Sequence, residues 1–193
     1  LARWKSFLAF AVTALMALTA AAQTSDGPCP PPKTVISYSS GDKIEAVRDM
    51  GGGVCQFKNV RTARPFERMV GAFLMSDPTV KAHINELRTL VPLQVGKTVQ
   101  FQKAGADDKG NNVTWLETYS VEKYEKHETP AGTFDAFVIL WTEQIQHGTG
   151  TWESRWWYSP QTGCVLRFKF RNVQGHPPQK FPSEWYLVSV ENK

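Results

Sequence analysis

Trp156-Trp157-Tyr158-Ser159-Pro160-Gln161-Thr162-Gly163-Cys164-Val165-Leu166-Arg167-Phe168-Lys169-Phe170-Arg171 is the stretch that decides the fold class. From Cys164 onward the even positions are apolar and the odd ones mostly basic, which is the period of a half-buried strand. Pairing Pro160 with Cys164 leaves Gln161-Thr162-Gly163 as a three-residue loop, and Gly163 supplies the left-handed position such a loop needs. That register predicts Tyr158 opposite Leu166 and Trp156 opposite Phe168, with Leu166, Phe168 and Phe170 in the core. Glu153, Arg155 and Trp157 then share the outer face with Arg167, Lys169 and Arg171. A slip by one residue would bury Glu153 and Arg155 against Phe170 and Phe168, at a prohibitive desolvation cost.

Working outward, strand-like runs recur at roughly 97–104, 113–127, 134–146, 151–159, 164–173 and 183–191, divided by segments rich in turn residues. Short strands separated this way read as an antiparallel meander, and no crossover is long enough for a parallel sheet. Beyond residue 22 the chain holds 20 aromatic residues, of which 15 lie in 113–193, so that half carries most of the large core surface. The expected fold is mainly β: an antiparallel meander curling into a barrel or half-barrel, with one α-helix at about 78–91 packed on it. Asp77 caps that helix, Pro78 suits its first position, and Val80, Ile84, Leu87 and Val91 repeat at helical spacing until Pro92 stops it. His83 falls on or beside this stripe and is expected to be packed or exposed rather than a ligand.

Upstream, residues 34–61 read as a three-stranded meander. Within it, 43–50 also fits a short helix capped by Asp42 and Glu45 and stopped at Gly51; the flanking glycine-punctuated runs favour a strand. Residues 23–33, rich in Pro and Gly, read as an extended lead-in, and 34–193 as a single β-rich domain. Arg3 and Lys5, the apolar run from Phe7 to Leu18 and the small residues Thr19 to Ala22 have the order of a secretory signal peptide, 1–22, cleaved near Ala22. The product is expected in the periplasm or the medium, without a membrane span.

At 41% apolar and 21% charged residues, the composition excludes intrinsic disorder. Loss of Arg3 and Lys5 lowers the net charge from +4 to +2, which is no footprint of a nucleic-acid binder. Export permits disulfides. Of the three cysteines, Cys29 and Cys55 are the expected pair, because the first and third strands of the 34–61 meander start at the same end; Cys164 is then a buried or turn thiol.

Three segments carry a resemblance: Val91-Pro92-Leu93-Gln94-Val95-Gly96-Lys97, Thr129-Pro130-Ala131-Gly132-Thr133-Phe134-Asp135-Ala136, and Trp156-Trp157-Tyr158-Ser159-Pro160-Gln161-Thr162-Gly163. In this order they resemble a broad group of exported bacterial proteins of unknown function called TapB-like. The resemblance covers about residues 91–170 well and 34–60 loosely. It implies a β-rich envelope protein and carries over no catalytic residue. Locally, Pro130 presets a turn, Gly132 allows positive φ, and Asp135 is expected to bond turn amides.

The sequence lacks a Gly-x-Ser-x-Gly elbow, a Walker loop and a dinucleotide fingerprint, so no cofactor is expected. His83, His127, His147 and His176 are scattered, without metal spacing. His127 and Asp135 flank one turn and could meet across it. Glu117, Glu143 and Glu153 could pair for glycoside chemistry, although a solvated strand face is the default for such residues. The best contact surface is Trp157 beside Arg167, with Arg155, Lys169 and Arg171 near: a flat aromatic and a cationic ridge suited to a lipid head group, an anionic glycan or an envelope protein. The leading expectation is a non-enzymatic binding or scaffolding module; the alternative is a carboxylate-dependent hydrolase of cell-wall or polysaccharide substrates.

Overall fold

A computed structural model describes residues 24–25, 29–107, 109–175 and 182–192. The leader reading of 1–22 and most of the turn between 174 and 182 lie outside the described residues. The strands are β1 (Thr24–Ser25), β2 (Val35–Tyr38), β3 (Lys43–Gly51), β4 (Val54–Asn59), β5 (Pro65–Met69), β6 (Phe73–Leu74), β7 (Leu93–Gln94), β8 (Thr98–Ala106), β9 (Asn112–Thr129), β10 (Gly132–Ile145), β11 (Thr151–Ser159), β12 (Cys164–Gln174) and β13 (Glu184–Glu191). Two short helices, α1 (Pro78–Ala82) and α2 (Ile84–Arg88), stand between β6 and β7. Residues 43–50 are therefore strand, and β1, within the lead-in, pairs with β7.

Eleven strands form one antiparallel sheet in the order β6-β5-β4-β3-β2-β13-β12-β11-β10-β9-β8. The chain's last strand inserts between β2 and β12 and joins two meanders into one. The sheet is not a closed barrel: β6 and β8 do not pair, because the chain between them is spent on the helices. It nevertheless curls until its ends meet. Phe73 on β6 lies 5.2 Å from the ring of Tyr119 on β9 and 6.0 Å from that of Trp156 on β11.

The single helix expected at 78–91 is broken at His83, whose backbone leaves the helical region. Its imidazole stacks on Phe101 of β8 with centroids 3.9 Å apart. Val80 and Leu87, one on each short helix, are nevertheless both buried in the same apolar cluster, as their helical spacing requires. Asp77 caps α1 as expected, its Oδ1 accepting from the amides of Thr79 and Val80.

The β11–β12 hairpin keeps Trp156 opposite Phe168, but Ser159, not Pro160, pairs with Cys164, and a bulge shifts the register between Trp157 and Tyr158. Tyr158 consequently opposes Val165, and Leu166 joins a second cluster with Trp157, Ile36, Phe57 and Leu187 while Phe168 stays in the first. The physical reason is that apolar groups cover both faces here, so a one-residue shift strands no greasy side chain in water. Gly163 does take the left-handed conformation, φ 65°.

Cys29 and Cys55 form a disulfide with Cα atoms 5.5 Å apart, and Cys164 is a buried free thiol that burial pushes up to about 11. The bridge ties the lead-in to the start of β4 across a sequence separation of 26. Replacing both bridging cysteines by alanine is expected to lower unfolding stability by about 3 kcal/mol. Urea unfolding of the double variant against wild type, each followed by tryptophan fluorescence, checks this.

Candidate functional site

Three adjacent strands each place a charge in an otherwise aromatic row. On β9 the row is Trp115, Glu117, Tyr119; on β10 it is Trp141, Glu143; on β8 it is Phe101, Lys103. In the sheet register Glu143 stands directly opposite Glu117, and Lys103 lies diagonal to Glu117 because Phe101 is its direct neighbour. Two carboxylates facing each other repel. Lys103 relieves that repulsion: its Nζ contacts Glu117 Oε1 and lies 3.1 Å from Glu143 Oε1.

Glu117 is 0% exposed. Its Oε2 accepts from Tyr119 Oη at 2.8 Å and from Trp141 Nε1 at 3.1 Å, while Oε1 meets Lys103. A buried charge is tolerable when paired and hydrogen-bonded in this way. Burial pushes Glu143 up to about 7; the charge of Glu117 pushes the same way, against the pull of Lys103. Burial opposes the charge on Lys103, yet Glu117 and Glu143 outweigh it and hold the ammonium above its ordinary value. Tyr119 is raised by burial and by its contact with Glu117, so its hydroxyl remains a donor.

These groups line a cavity of about 580 Å³ between the sheet edges, beside Asp77 and Val80 of the α1 segment. Its aromatic wall includes Phe73, Tyr119 and four of the chain's seven tryptophans, Trp115, Trp141, Trp152 and Trp156. The rings of Tyr119, Trp141 and Trp156 are nearly parallel, with interplanar angles of 4–8°. Trp152 Nε1 is buried and has no hydrogen-bond partner among the described residues. The volume falls within the roughly 300–1,000 Å³ of small-molecule sites.

The default of a solvated face thus fails for Glu117 and Glu143, which point into this cavity wall. Glu153 does not join them. It lies on the other face of β11, 3.0 Å from Arg155 and 2.7 Å from Arg171. The expected outer ridge is also built differently from its reading. Trp157 is only 8% exposed; Arg167 lies over its ring at 5.2 Å, His127 stacks at 5.2 Å, and its Nε1 donates to Glu125 at 2.9 Å. Arg155 is held by Glu122 and Glu153, Arg167 by Glu184, and Arg171 by Glu153, while Lys169 is exposed and pairs in register with Glu184. The cations are compensated because β9 and β13 bring their own carboxylates to that face.

His127 and Asp135 do not meet. Asp135 lies 3.3 Å from Lys126, and its amide donates to Gln161 Oε1 at 3.1 Å. The two turn motifs therefore touch through Asp135 and Gln161, and the 129–132 turn is held by the hydroxyl of Thr129 instead. Sequence reasoning missed Lys103, Asp77 and the tryptophan wall as one site. The available signal was the coincidence of a charge inside an aromatic alternation on three successive strands. Among the described residues no group of His, Cys, Asp and Glu is placed to hold a metal ion, and no helix is long and apolar enough to cross a membrane.

No family model and no curated protein matches the chain. Among solved structures it is similar to the hypothetical lipoprotein YmcC from Escherichia coli, at 12% identity and a TM-score of 0.43 over 83% of this chain and 88% of that one. It is also similar to a Bacteroides fragilis protein described as exported and of YmcC-like fold, at 12% identity and a TM-score of 0.39 over 85% and 98%. A third is a Parabacteroides distasonis protein described as a lipoprotein, at 13% identity and a TM-score of 0.37 over 88% and 100%.

Two outcomes follow for the ion cluster. Since the folded chain holds a proton on Glu143 more tightly than the unfolded one, this contribution to stability is full below about pH 4.5 and lost as pH rises through about 7. Urea unfolding between pH 5 and 8 should show stability falling across that window, and Glu143→Gln should flatten the slope. Lys103→Met strands the buried Glu117 charge and should cost about 3–5 kcal/mol at pH 8, read in the same experiment.

Proposed function

We propose that the chain is an exported, non-enzymatic binding module and that its ligand site is the tryptophan-walled cavity between β6, β8 and α1. The observation that carries this reading is the cavity itself: about 580 Å³, with a largely aromatic wall and a few convergent polar groups, Asp77, Lys103 and Glu143. The ligand is a small amphipathic molecule, its flat apolar part against Trp141 and Trp156 and its polar end at Lys103 and Glu143. With three carboxylates against one ammonium in the lining, an anionic glycan or an anionic lipid head group is disfavoured there. The signal-peptide reading of 1–22 supports release into the periplasm or the medium, and the likeness of the three motifs to TapB-like proteins supports an envelope role.

The hydrolase reading is weaker. Glu143 near neutrality suits a general acid. A glycosidase needs a second carboxylate that reaches substrate or water, and Glu117 is fully buried with both oxygens engaged.

Native mass spectrometry of the protein released from the periplasm tests the choice. A retained small molecule is expected, and Trp141→Ala should lose it without unfolding. Consistently empty protein that turns over cell-wall fragments, with turnover abolished by Glu143→Gln, would reverse the reading.

A further inference from the structure

A second cavity, of about 470 Å³, opens where β5 passes the seam between β2 and β13. Its floor is aromatic, from Tyr38, Phe66 and Trp185, and its charges are Arg64 and Arg68 against Asp42. Arg64, Phe66 and Arg68 alternate along one face of the chain entering and following β5, and the Arg68 guanidinium lies 5.2 Å from the Phe66 ring centroid.

Arg68 differs from the other half-buried arginines. Among the described residues Arg155 and Arg167 each hold a carboxylate, whereas Arg68 has none within ion-pair distance. Partial burial of an unpaired charge is costly, and an anion that supplied the missing partner would recover that cost. Asp42 does not fill the role; its Oδ2 accepts from Ser40 Oγ at 2.9 Å. A guanidinium fixed over an aromatic ring presents its donors in a planar fork that matches a carboxylate or phosphate.

We infer that this cavity is a second binding site, specific for an anionic group, carboxylate or phosphate, carried on a flat apolar body. The anion sits between Arg64 and Arg68 and the flat body on Tyr38, Phe66 and Trp185. The site adjoins the tryptophan-walled cavity at Leu74 but shares none of its charged or aromatic groups and has the opposite charge balance, so it does not depend on the function proposed above.

Calorimetry with 2-naphthoate, 2-naphthyl phosphate and the neutral 2-naphthylmethanol tests it, alongside the indole NMR signals of ¹⁵N-tryptophan-labelled protein. At least one anion should bind about tenfold tighter than the alcohol, the worth of a charge-assisted pair, and should shift the Trp185 indole signal. Which anion binds better tells carboxylate from phosphate. Arg68→Gln and the exposed Arg64→Gln should each weaken the anion several-fold, whereas Glu143→Gln in the other cavity should leave it unchanged. Equal affinity for alcohol and anions, no anion binding up to about 1 mM, or anion binding indifferent to Arg64→Gln would each overturn the inference. If Arg68→Gln does not fold, Arg64→Gln and the loss of anion binding with added salt still decide it.

Discussion

Trp185 sits where the two halves of the sheet meet, and the architecture depends on that meeting. On β13 it stacks on Phe168 of β12 at 5.6 Å and meets Tyr38 of β2 edge-on at 4.8 Å. One ring thus bonds the last strand to a neighbour on each side, and the buried Ile36 and Leu187 beside it remove further apolar surface from water. Because β2 and β13 meet at the seam, the elements midway between them in sequence make the free edges. β6 and β8, joined through the helical segment, become the lips of an opening instead of partners in a ladder. The tryptophan-walled cavity lies in that opening.

The same topology explains how charges come to line an aromatic wall. Lys103, Glu117 and Glu143 occupy inward positions on three adjacent strands at the β8 end of the sheet. Each alone would be a misplaced charge. Together, with the Tyr119 hydroxyl and the Trp141 indole, they satisfy one another. The network fixes the orientation of two aromatic rings that would otherwise be free to collapse into the space. The second cavity forms at the seam itself, where no carboxylate among the described residues lies within ion-pair distance of Arg68.

Much of this was legible in the sequence. Strand-like runs divided by turn-rich segments placed all six strands of the C-terminal half, period-two alternation set Trp156 opposite Phe168 in the β11–β12 hairpin, and the left-handed Gly163 and the cap at Asp77 were read at the right residues. Three readings failed for one shared reason. The bulge that turns Leu166 away from Phe168, the burial of Trp157 and the burial of Glu117 all arise because the sheet curls and is covered on both faces. Alternation tells which residues share a face; it does not tell whether that face meets water. The break of the helix at His83 belongs to the same class, since the stack on Phe101 that accompanies it is a contact between residues distant in sequence. The ion cluster was half visible: Glu117 and Glu143 stood out, but Lys103 joins them only through strand register.

Hydrogen–deuterium exchange resolved along the chain tests the seam most directly. If β13 welds the halves into one sheet, the central amides of β2 and β13 should exchange as slowly as those of β10 and β11, and all four should open together as denaturant is added. Rapid exchange of β13 while β9–β12 stay protected would show that the C-terminal meander stands without it, and the account of the opening between β6 and β8 would fail.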